Sequence, residues 1–109
     1  MGDYSNFPVL IAFTGVEPAG FCAWRQLGEA EAELLNLAVA PDARRQGVAG
    51  ALLEALRETA TGHIFLEVAE TNMPAIALYR RFGWEPVAVR QGYYDKGATN
   101  AVVMKKGSW

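Results

Sequence analysis

The hydrophobic pattern of this 109-residue chain changes its period at Gly47. Before Gly47, short apolar runs alternate with turn residues, and we predict strands over 7–14, 21–27 and 34–40. Residues 17–20 are interpreted as the first turn and 29–33 as an acidic hairpin. From Gly47 onward the apolar positions follow helical spacing. Three strands at this spacing predict an antiparallel meander that is followed by a helix.

The second half of the chain continues the alternation of helix and strand. Gly62 is predicted to end the first helix in the left-handed conformation. A fourth strand over 64–69 leads to a helix over 73–82, with Asn72 as its cap, Pro74 in its first turn and Gly83 as its terminator. Two last strands are predicted over 84–90 and 101–105. Because a strand–helix–strand unit places its two strands in parallel, we expect an α/β fold in a single domain, 1–109. Its sheet is mixed and mostly antiparallel, with a parallel central strand pair and helices on its faces.

Composition excludes several classes of function. The formal net charge of −2 argues against a general nucleic-acid-binding protein, which needs a basic face. The apolar run 8–13 is too short to span a membrane. Cys22 and His63 are the only residues of their kinds, so a disulfide within the chain and a cysteine-based metal cluster are excluded. We therefore expect a cytoplasmic protein without a metal, a nucleic-acid partner or a membrane partner.

The stretch RRQGVAG, residues 44–50, stands where the first helix begins. The first backbone N–H groups of a helix have no partner within the helix, and the helix dipole adds partial positive charge there. Glycines allow a ligand to approach the backbone closely, and two arginines add charge, so an anion site for phosphate is one interpretation and a solvated surface loop is the other. The residues concerned are Arg44, Arg45, Gln46, Gly47, Val48, Ala49 and Gly50. Their spacing fits neither a P-loop nor a dinucleotide-binding turn.

Glu67 lies in the middle of the apolar fourth strand. Alternation places it on one face with Phe65 and Ala69, in a strand that we expect to be buried on both faces. A carboxylate in such a place is either paired or has a raised pKa, and the second condition suits a general base. The alternatives are a paired structural glutamate and one that is exposed at the end of the strand.

Three further residues admit both a functional and a structural interpretation. Tyr79 follows Glu67 by one helix, about where that helix would return past the end of the fourth strand, and its structural interpretation is a core residue packed with Ile76 and Phe82. Cys22 is expected to be a small buried apolar residue. His63 is expected to be solvated.

These segments, in this order, resemble the Gcn5-related N-acetyltransferase (GNAT) superfamily over residues 35–104. The segment LNLAVAPDARRQGVAGALLEAL is similar to the acetyl-CoA motif of the family, in which a strand is followed by Arg/Gln-x-x-Gly-x-Gly/Ala and a helix. The segment FLEVAETNMPAIALYRRFGW resembles the branch that acetylates protein N-termini, in particular the ribosomal-protein-alanine N-acetyltransferases. Residues 90–94 also resemble the Tyr-Tyr segment of that branch.

The resemblance implies a role for each matched position. Leu37, Ala38 and Val39 would offer backbone groups to the pantetheine arm of acetyl-CoA. The Arg44–Gly50 segment would hold the pyrophosphate, chiefly through the amides of 45–50, and Asn72 would contact the cofactor. Glu67 would be the general base and Tyr79 the general acid.

The activity implied is acetyl transfer from acetyl-CoA to an amine within a ternary complex. The acceptor would be the α-amino group of a protein N-terminus, such as that of a ribosomal protein. Two alternatives stay open, which are a small-molecule amine as acceptor and a non-catalytic acyl-CoA-binding module.

The sequence departs from the family pattern at its start. The family has a strand and two helices ahead of the strand that begins here near Phe7, and those helices form one wall of the acceptor groove. Either this is a short form of the domain, or a second copy of the chain or another partner supplies that wall.

Overall fold

The computed structural model describes residues 6–106, apart from the side chains of Tyr94 and Asp95. It contains six strands, two α-helices and two short 3₁₀ turns at Pro41–Ala43 and Asp95–Gly97. The elements are β1 (Val9–Thr14), β2 (Glu17–Leu27), β3 (Glu31–Val39), α1 (Val48–Thr59), β4 (His63–Ala69), α2 (Met73–Arg81), β5 (Trp84–Tyr94) and β6 (Thr99–Lys106). The strand order is β1-β2-β3-β4-β6-β5. The predicted mixed α/β fold is confirmed. The chain divides into two compact units after Ile64.

The first unit is the predicted antiparallel meander with α1 packed against it. Strand β1 pairs with β2, which pairs with β3, and Cys22 at the centre of β2 is opposite Leu10 and Leu37. A Cβ added at Gly20 would lie 3.1 Å from a methyl group of Val48, so α1 begins against the face of the sheet that carries Gly20 and Cys22. The buried core of the unit combines small strand residues with one stripe of the helix: Cys22, Ala23, Ala32, Leu52, Leu53 and Leu56.

One predicted turn of this unit is wrong, and another is shorter than predicted. Residues 17–20 begin β2, and the turn lies at Gly15 and Val16 instead. Pro18 is opposite Phe13 of β1, next to the register shift between Ala12 and Phe13, and β3 pairs with β2 only from Gly20 onward. Proline is tolerated at such irregular positions, where the regular ladder does not need its missing N–H. The acidic hairpin is present between β2 and β3, but its turn covers only 28–30, since β3 begins at Glu31.

Gly62 has the predicted positive φ, but it does not terminate α1. The helix ends at Thr59 with Ala60 in an extended conformation, and Gly62 (φ +79°) comes two residues later. A Cβ at this position would lie 2.1 Å from the carbonyl oxygen of Ala30, so the glycine allows the chain to cross the β2–β3 turn in close contact.

Replacing Gly62 with alanine should therefore lower the free energy of unfolding by about 2–4 kcal/mol, because left-handed strain adds to overpacking. Chemical denaturation measures this loss. Gly28→Ala is the matched control, since Gly28 also has a positive φ (+73°) and has no atom within 4 Å of the added Cβ. A loss at Gly62 no larger than the loss at Gly28 would show that the contact with Ala30 is unimportant.

The second unit contains the antiparallel strands β4, β6 and β5 with α2. One face of β4 is buried through Leu66 and Val68, whereas the other face is only half-buried. The prediction that β4 is buried on both faces is therefore wrong. Helix α2 is confirmed almost to the residue, including Asn72 as its cap and Gly83 with φ +90° at its end.

Neither described helix is long enough and apolar enough to cross a lipid bilayer. Among the side chains that the structure describes, no three from His, Cys, Asp or Glu converge as ligands of a metal ion would.

Candidate active site

The first group of candidate residues lies at the end of β3. Leu37, Ala38 and Val39 are half-buried and are the last residues of the strand, opposite Cys22, Phe21 and Gly20 of β2. Ala38 and Val39 also line an apolar cavity of about 430 Å³ in the first unit. The remaining lining residues are Val9, Ile11, Pro18, Ala19, Gly20, Phe21 and Ala40.

The loop between β3 and α1 has an unusual backbone. Arg45 has φ +65°, which is uncommon for a residue with a side chain, and Gly47 has φ +82°. A non-glycine residue in the left-handed region costs of order 1–3 kcal/mol, and such strain is concentrated at ligand-binding sites. The side chains of Arg44, Arg45 and Gln46 are exposed, and Gln46 donates a hydrogen bond to the carbonyl of Asp42 at 3.1 Å.

The N-terminus of α1 lacks a capping side chain. Its N-cap residue is Gly47, and no side chain accepts a hydrogen bond from the first turn. Helix α2 provides the contrast, because Asn72 Oδ1 accepts a hydrogen bond from the N–H of Ala75 at 3.3 Å. The amides of Val48, Ala49 and Gly50 therefore remain available to an anion, together with the positive end of a helix dipole.

Glu67 is paired, which is one of the two conditions predicted for it. Its side chain is 20% exposed and accepts hydrogen bonds from Arg90 Nη1, at 3.0 Å for Oε1 and 3.3 Å for Oε2. The strand register places Glu67 beside Val103 of β6, on the half-buried face of the unit. The carboxylate is thus accessible from that face and held by a single guanidinium group.

Tyr79 packs on a residue that sequence analysis did not single out. Its ring lies 5.8 Å from that of Trp84, tilted by 57°, and Trp84 is almost completely buried. The register places Trp84 on the same face as Met104 and Leu66, which is the face opposite Glu67. Tyr79 is only half-buried, so part of its surface is open to a ligand.

Asn72 has the structural role predicted for it, as the N-cap of α2. Its side chain is exposed, so its amide nitrogen can still reach a ligand. His63 is exposed, as predicted.

Cys22 is completely buried, as predicted. Desolvation raises the pKa of its thiol from 9.0 to about 11, against the smaller opposing effect of a backbone hydrogen bond with Leu10. A thiol in this environment is protonated at neutral pH and cannot act as a nucleophile.

We expect native Cys22 to react with iodoacetamide at pH 8 at least about 100-fold more slowly than in urea, because two pKa units reduce the thiolate fraction about a hundredfold. Mass spectrometry of timed samples measures both rates. Equal rates would show that the thiol is accessible and ionised in the folded protein.

Residues 90–94 were singled out from the sequence only as a resemblance, and the pairing of Arg90 with Glu67 was not predicted. One signal of the irregular backbone was present, since Gly92 is an isolated glycine inside the strand Trp84–Tyr94, where glycine often marks a bulge. The partnership with Glu67 spans 23 residues in sequence and depends on strand register, which local patterns do not reveal.

Comparisons with known proteins identify a family. Residues 2–84 match the acetyltransferase (GNAT) family. The [ribosomal protein bS18]-alanine N-acetyltransferase of Escherichia coli is 40% identical over 80 residues, which are 68% of this chain and 54% of that enzyme. An N-alpha-acetyltransferase of Saccharolobus solfataricus is 39% identical over 69 residues, which are 59% of this chain and 41% of that protein.

A solved structure extends the similarity to almost the whole chain. The crystal structure of the ribosomal-protein-S18-alanine N-acetyltransferase from Escherichia coli superposes with a TM-score of 0.77 and 31% identity, over 97% of this chain and 70% of that one. At the level of sequence, this chain spans about half the length of the bS18 enzyme. The family match covers more than half of the chain, and the chain therefore belongs to the GNAT acetyltransferase family.

Proposed function

We propose that this protein transfers an acetyl group from acetyl-CoA to the α-amino group of a protein N-terminus. The observation that carries the proposal is the uncapped start of α1, where three helix amides lie next to a strained loop and two exposed arginines. Such a combination suits the binding of a diphosphate. The names of the relatives support the acceptor, because two of them acetylate an alanine or an N-terminal α-amine.

The donor would be bound by the first unit. The pyrophosphate of coenzyme A would lie against the amides of residues 45–50, with Arg44 and Arg45 supplying charge. The pantetheine arm would run along the backbone of Leu37–Val39, where the neighbouring cavity is lined by apolar side chains that suit the acyl end. An N–H of this strand would stabilise the oxyanion that forms when an amine attacks the thioester carbonyl.

The acceptor amine must lose a proton before it attacks. An α-amine has a pKa of about 7.7–8.0, so most of it is protonated at neutral pH. Glu67 would accept that proton, directly or through a water molecule. The amine nitrogen then bonds to the carbonyl carbon, the carbon–sulfur bond breaks, and the departing thiolate takes a proton from Tyr79. The nitrogen gives up its second proton to water, which leaves the neutral amide, and the Tyr79 phenolate regains a proton from water.

Transfer would be direct, within a ternary complex. The protonated, buried thiol of Cys22 has no means of carrying the acetyl group, since a covalent relay needs an activated nucleophile. We propose the cytoplasm as the place of reaction, where both acetyl-CoA and new protein N-termini are available, and we propose no metal requirement.

The deciding experiment measures thiol release from acetyl-CoA with short peptides that carry a free N-terminal alanine. We expect turnover with these peptides, and none with the same peptides when the N-terminus is blocked. Turnover restricted to small amines would assign a small-molecule acetyltransferase. Binding of acetyl-CoA without turnover on any amine would assign a non-catalytic acyl-CoA-binding module.

We also propose that a second copy of the chain is the partner that completes the acceptor groove. Strand β1 supports this, because Val9, Ile11 and Phe13 alternate along one face and all three are exposed. A surface of this kind is typical of an interaction site. Sedimentation velocity should show a dimer at micromolar concentration that Phe13→Lys dissociates, since Phe13 is exposed and does not line the cavity assigned to the acyl end. A monomer at all concentrations would contradict the proposal.

A further inference from the structure

The pair formed by Arg90 and Glu67 belongs to a larger cluster within the second unit. Arg90 Nη1 contacts both oxygens of Glu67, and the guanidinium carbon lies 4.2 Å from the centroid of the Tyr93 ring. One cation is thus held between a carboxylate and an aromatic face. The favourable interaction of a guanidinium with an aromatic ring stabilises the cluster and also restricts the orientation of the guanidinium.

Strand register brings Arg90 to Glu67 across the strand between them. Arg90 is opposite Ala101 of β6, and Glu67 is opposite Val103 of the same strand. Residues two apart in a strand share a face, so both side chains lie on the same side of the sheet. Ala101 is small and completely buried, and the arginine stem can therefore pass over it.

A bulge in β5 places the Tyr93 ring against Arg90. Regular pairing of β5 with β6 is interrupted between Arg90 and Tyr94. At the bulge, Gly92 has φ +65° and donates its N–H to Asn100 Oδ1 at 2.9 Å. Bulges of this kind redirect a side chain and are frequent beside active sites. The position of Tyr93 is therefore set by backbone geometry.

Stability does not account for this cluster. An exposed ion pair contributes little to folding, and the side chain of Arg90 is 58% exposed. Lys105 of β6 lies on the same face, opposite both Phe65 of β4 and Glu85 of β5. Arg90 is the cation that contacts Glu67. What the cluster does provide is a fixed direction for the two carboxylate oxygens.

We propose that Arg90 is a positioning residue for acetyl transfer, which orients the Glu67 carboxylate toward the acceptor amine while Tyr93 holds the guanidinium in place. The inference rests on the proposed role of Glu67 as general base. A misplaced base loses much of its effect, because proton transfer requires close approach in the correct direction. Arg90 itself does not touch the substrate.

The test is a double-mutant cycle on the full chain, with acetyl-CoA and peptides that carry an N-terminal alanine. We expect Arg90→Met to lower kcat on the order of 10-fold and to leave the KM for acetyl-CoA unchanged. Arg90→Lys should retain part of the rate, since lysine can pair with Glu67 but cannot stack flat on Tyr93. In a Glu67→Gln background, Arg90→Met should lower the residual rate less than about 2-fold, because the base that it positions is absent.

The matched control is Arg25→Met. Arg25 and Glu33 form a cross-strand pair in the first unit at 2.7 Å, with side chains 45% and 22% exposed, similar to Arg90 and Glu67. This variant should keep the wild-type kcat. Two results would overturn this inference and leave the proposed function intact. The first is a kcat for Arg90→Met equal to that of Arg25→Met while Glu67→Gln is impaired. The second is an equal loss of rate from Arg90→Met in the wild-type and the Glu67→Gln backgrounds. An unimpaired Glu67→Gln would instead overturn the proposed function on which the inference rests.

Discussion

Replacing Glu67 with glutamine should lower the turnover of acetyl transfer about 10²–10⁴-fold, the range that a general base contributes. Glutamine has nearly the same shape and can still accept a hydrogen bond from Arg90, so the local packing of the strand should survive. It cannot accept a proton from an α-ammonium group. Stopped assays of peptide acetylation, at saturating acetyl-CoA, measure the loss directly.

The control for this substitution is Glu33→Gln. Glu33 is also a strand glutamate paired with an arginine, and its side chain is exposed to a similar extent. It lies in the turn-proximal half of β3, and we assign it no part in the reaction. We expect Glu33→Gln to retain the wild-type turnover and both variants to retain the wild-type affinity for acetyl-CoA. Turnover of Glu67→Gln within a factor of two of the control would remove Glu67 from the mechanism.

A second readout distinguishes loss of the base from loss of binding. If Glu67 acts only on the amine proton, kcat should fall while the KM for acetyl-CoA stays constant. Raising the pH should restore part of the lost rate, because a larger fraction of the acceptor amine is already deprotonated above its pKa of about 8. A residual rate that is independent of pH would indicate that Glu67 has another role.

The sequence was sufficient to predict elements whose signals are local. Helix α2 has its cap, its proline and its terminal glycine within a dozen residues, and each of them acts through neighbouring backbone. The start of α1 at Gly47 was predicted for the same reason. The burial of Cys22 followed from its position in an apolar run.

The errors have a different physical origin, because they depend on what lies opposite a residue in the sheet. Residues 17–20 have the composition of a turn, yet Pro18 is accommodated where β2 extends beyond the end of β3. Gly62 has the backbone conformation expected of a helix terminator, but the contact that requires it is with Ala30, on another turn.

In the candidate site too, local features could be predicted from the sequence and contacts across the sheet could not. The loop before α1 is contiguous in sequence, so its residues could be proposed together. The partner of Glu67 lies two strands away, and the pairing order β4-β6-β5 is not the order of the chain. The spacing of residues 64–69 predicted which face carries Glu67, but not that Arg90 would cross β6 to reach it.

Replacing Ala49 with aspartate should abolish the binding of coenzyme A without destabilising the fold. Ala49 is the second residue of α1, where an acidic side chain interacts favourably with the helix dipole. The same carboxylate would face the pyrophosphate that we propose to bind there. Two like charges about 4 Å apart repel with an energy of about 4 kcal/mol at an effective dielectric constant near 20, and solvent screening reduces this value.

We therefore expect a loss of affinity of at least about 100-fold, which corresponds to about 2.7 kcal/mol, by isothermal titration with coenzyme A. The midpoint of thermal unfolding should stay constant or rise, and this combination is what distinguishes an anion site from a structural loop. Ala51→Asp is the matched control, because it adds the same charge to the same helical turn at an exposed position beyond the proposed site. Equal affinity of the two variants would show that the pyrophosphate binds elsewhere. Loss of affinity only at Ala49 would assign the amides at the start of α1 to the donor.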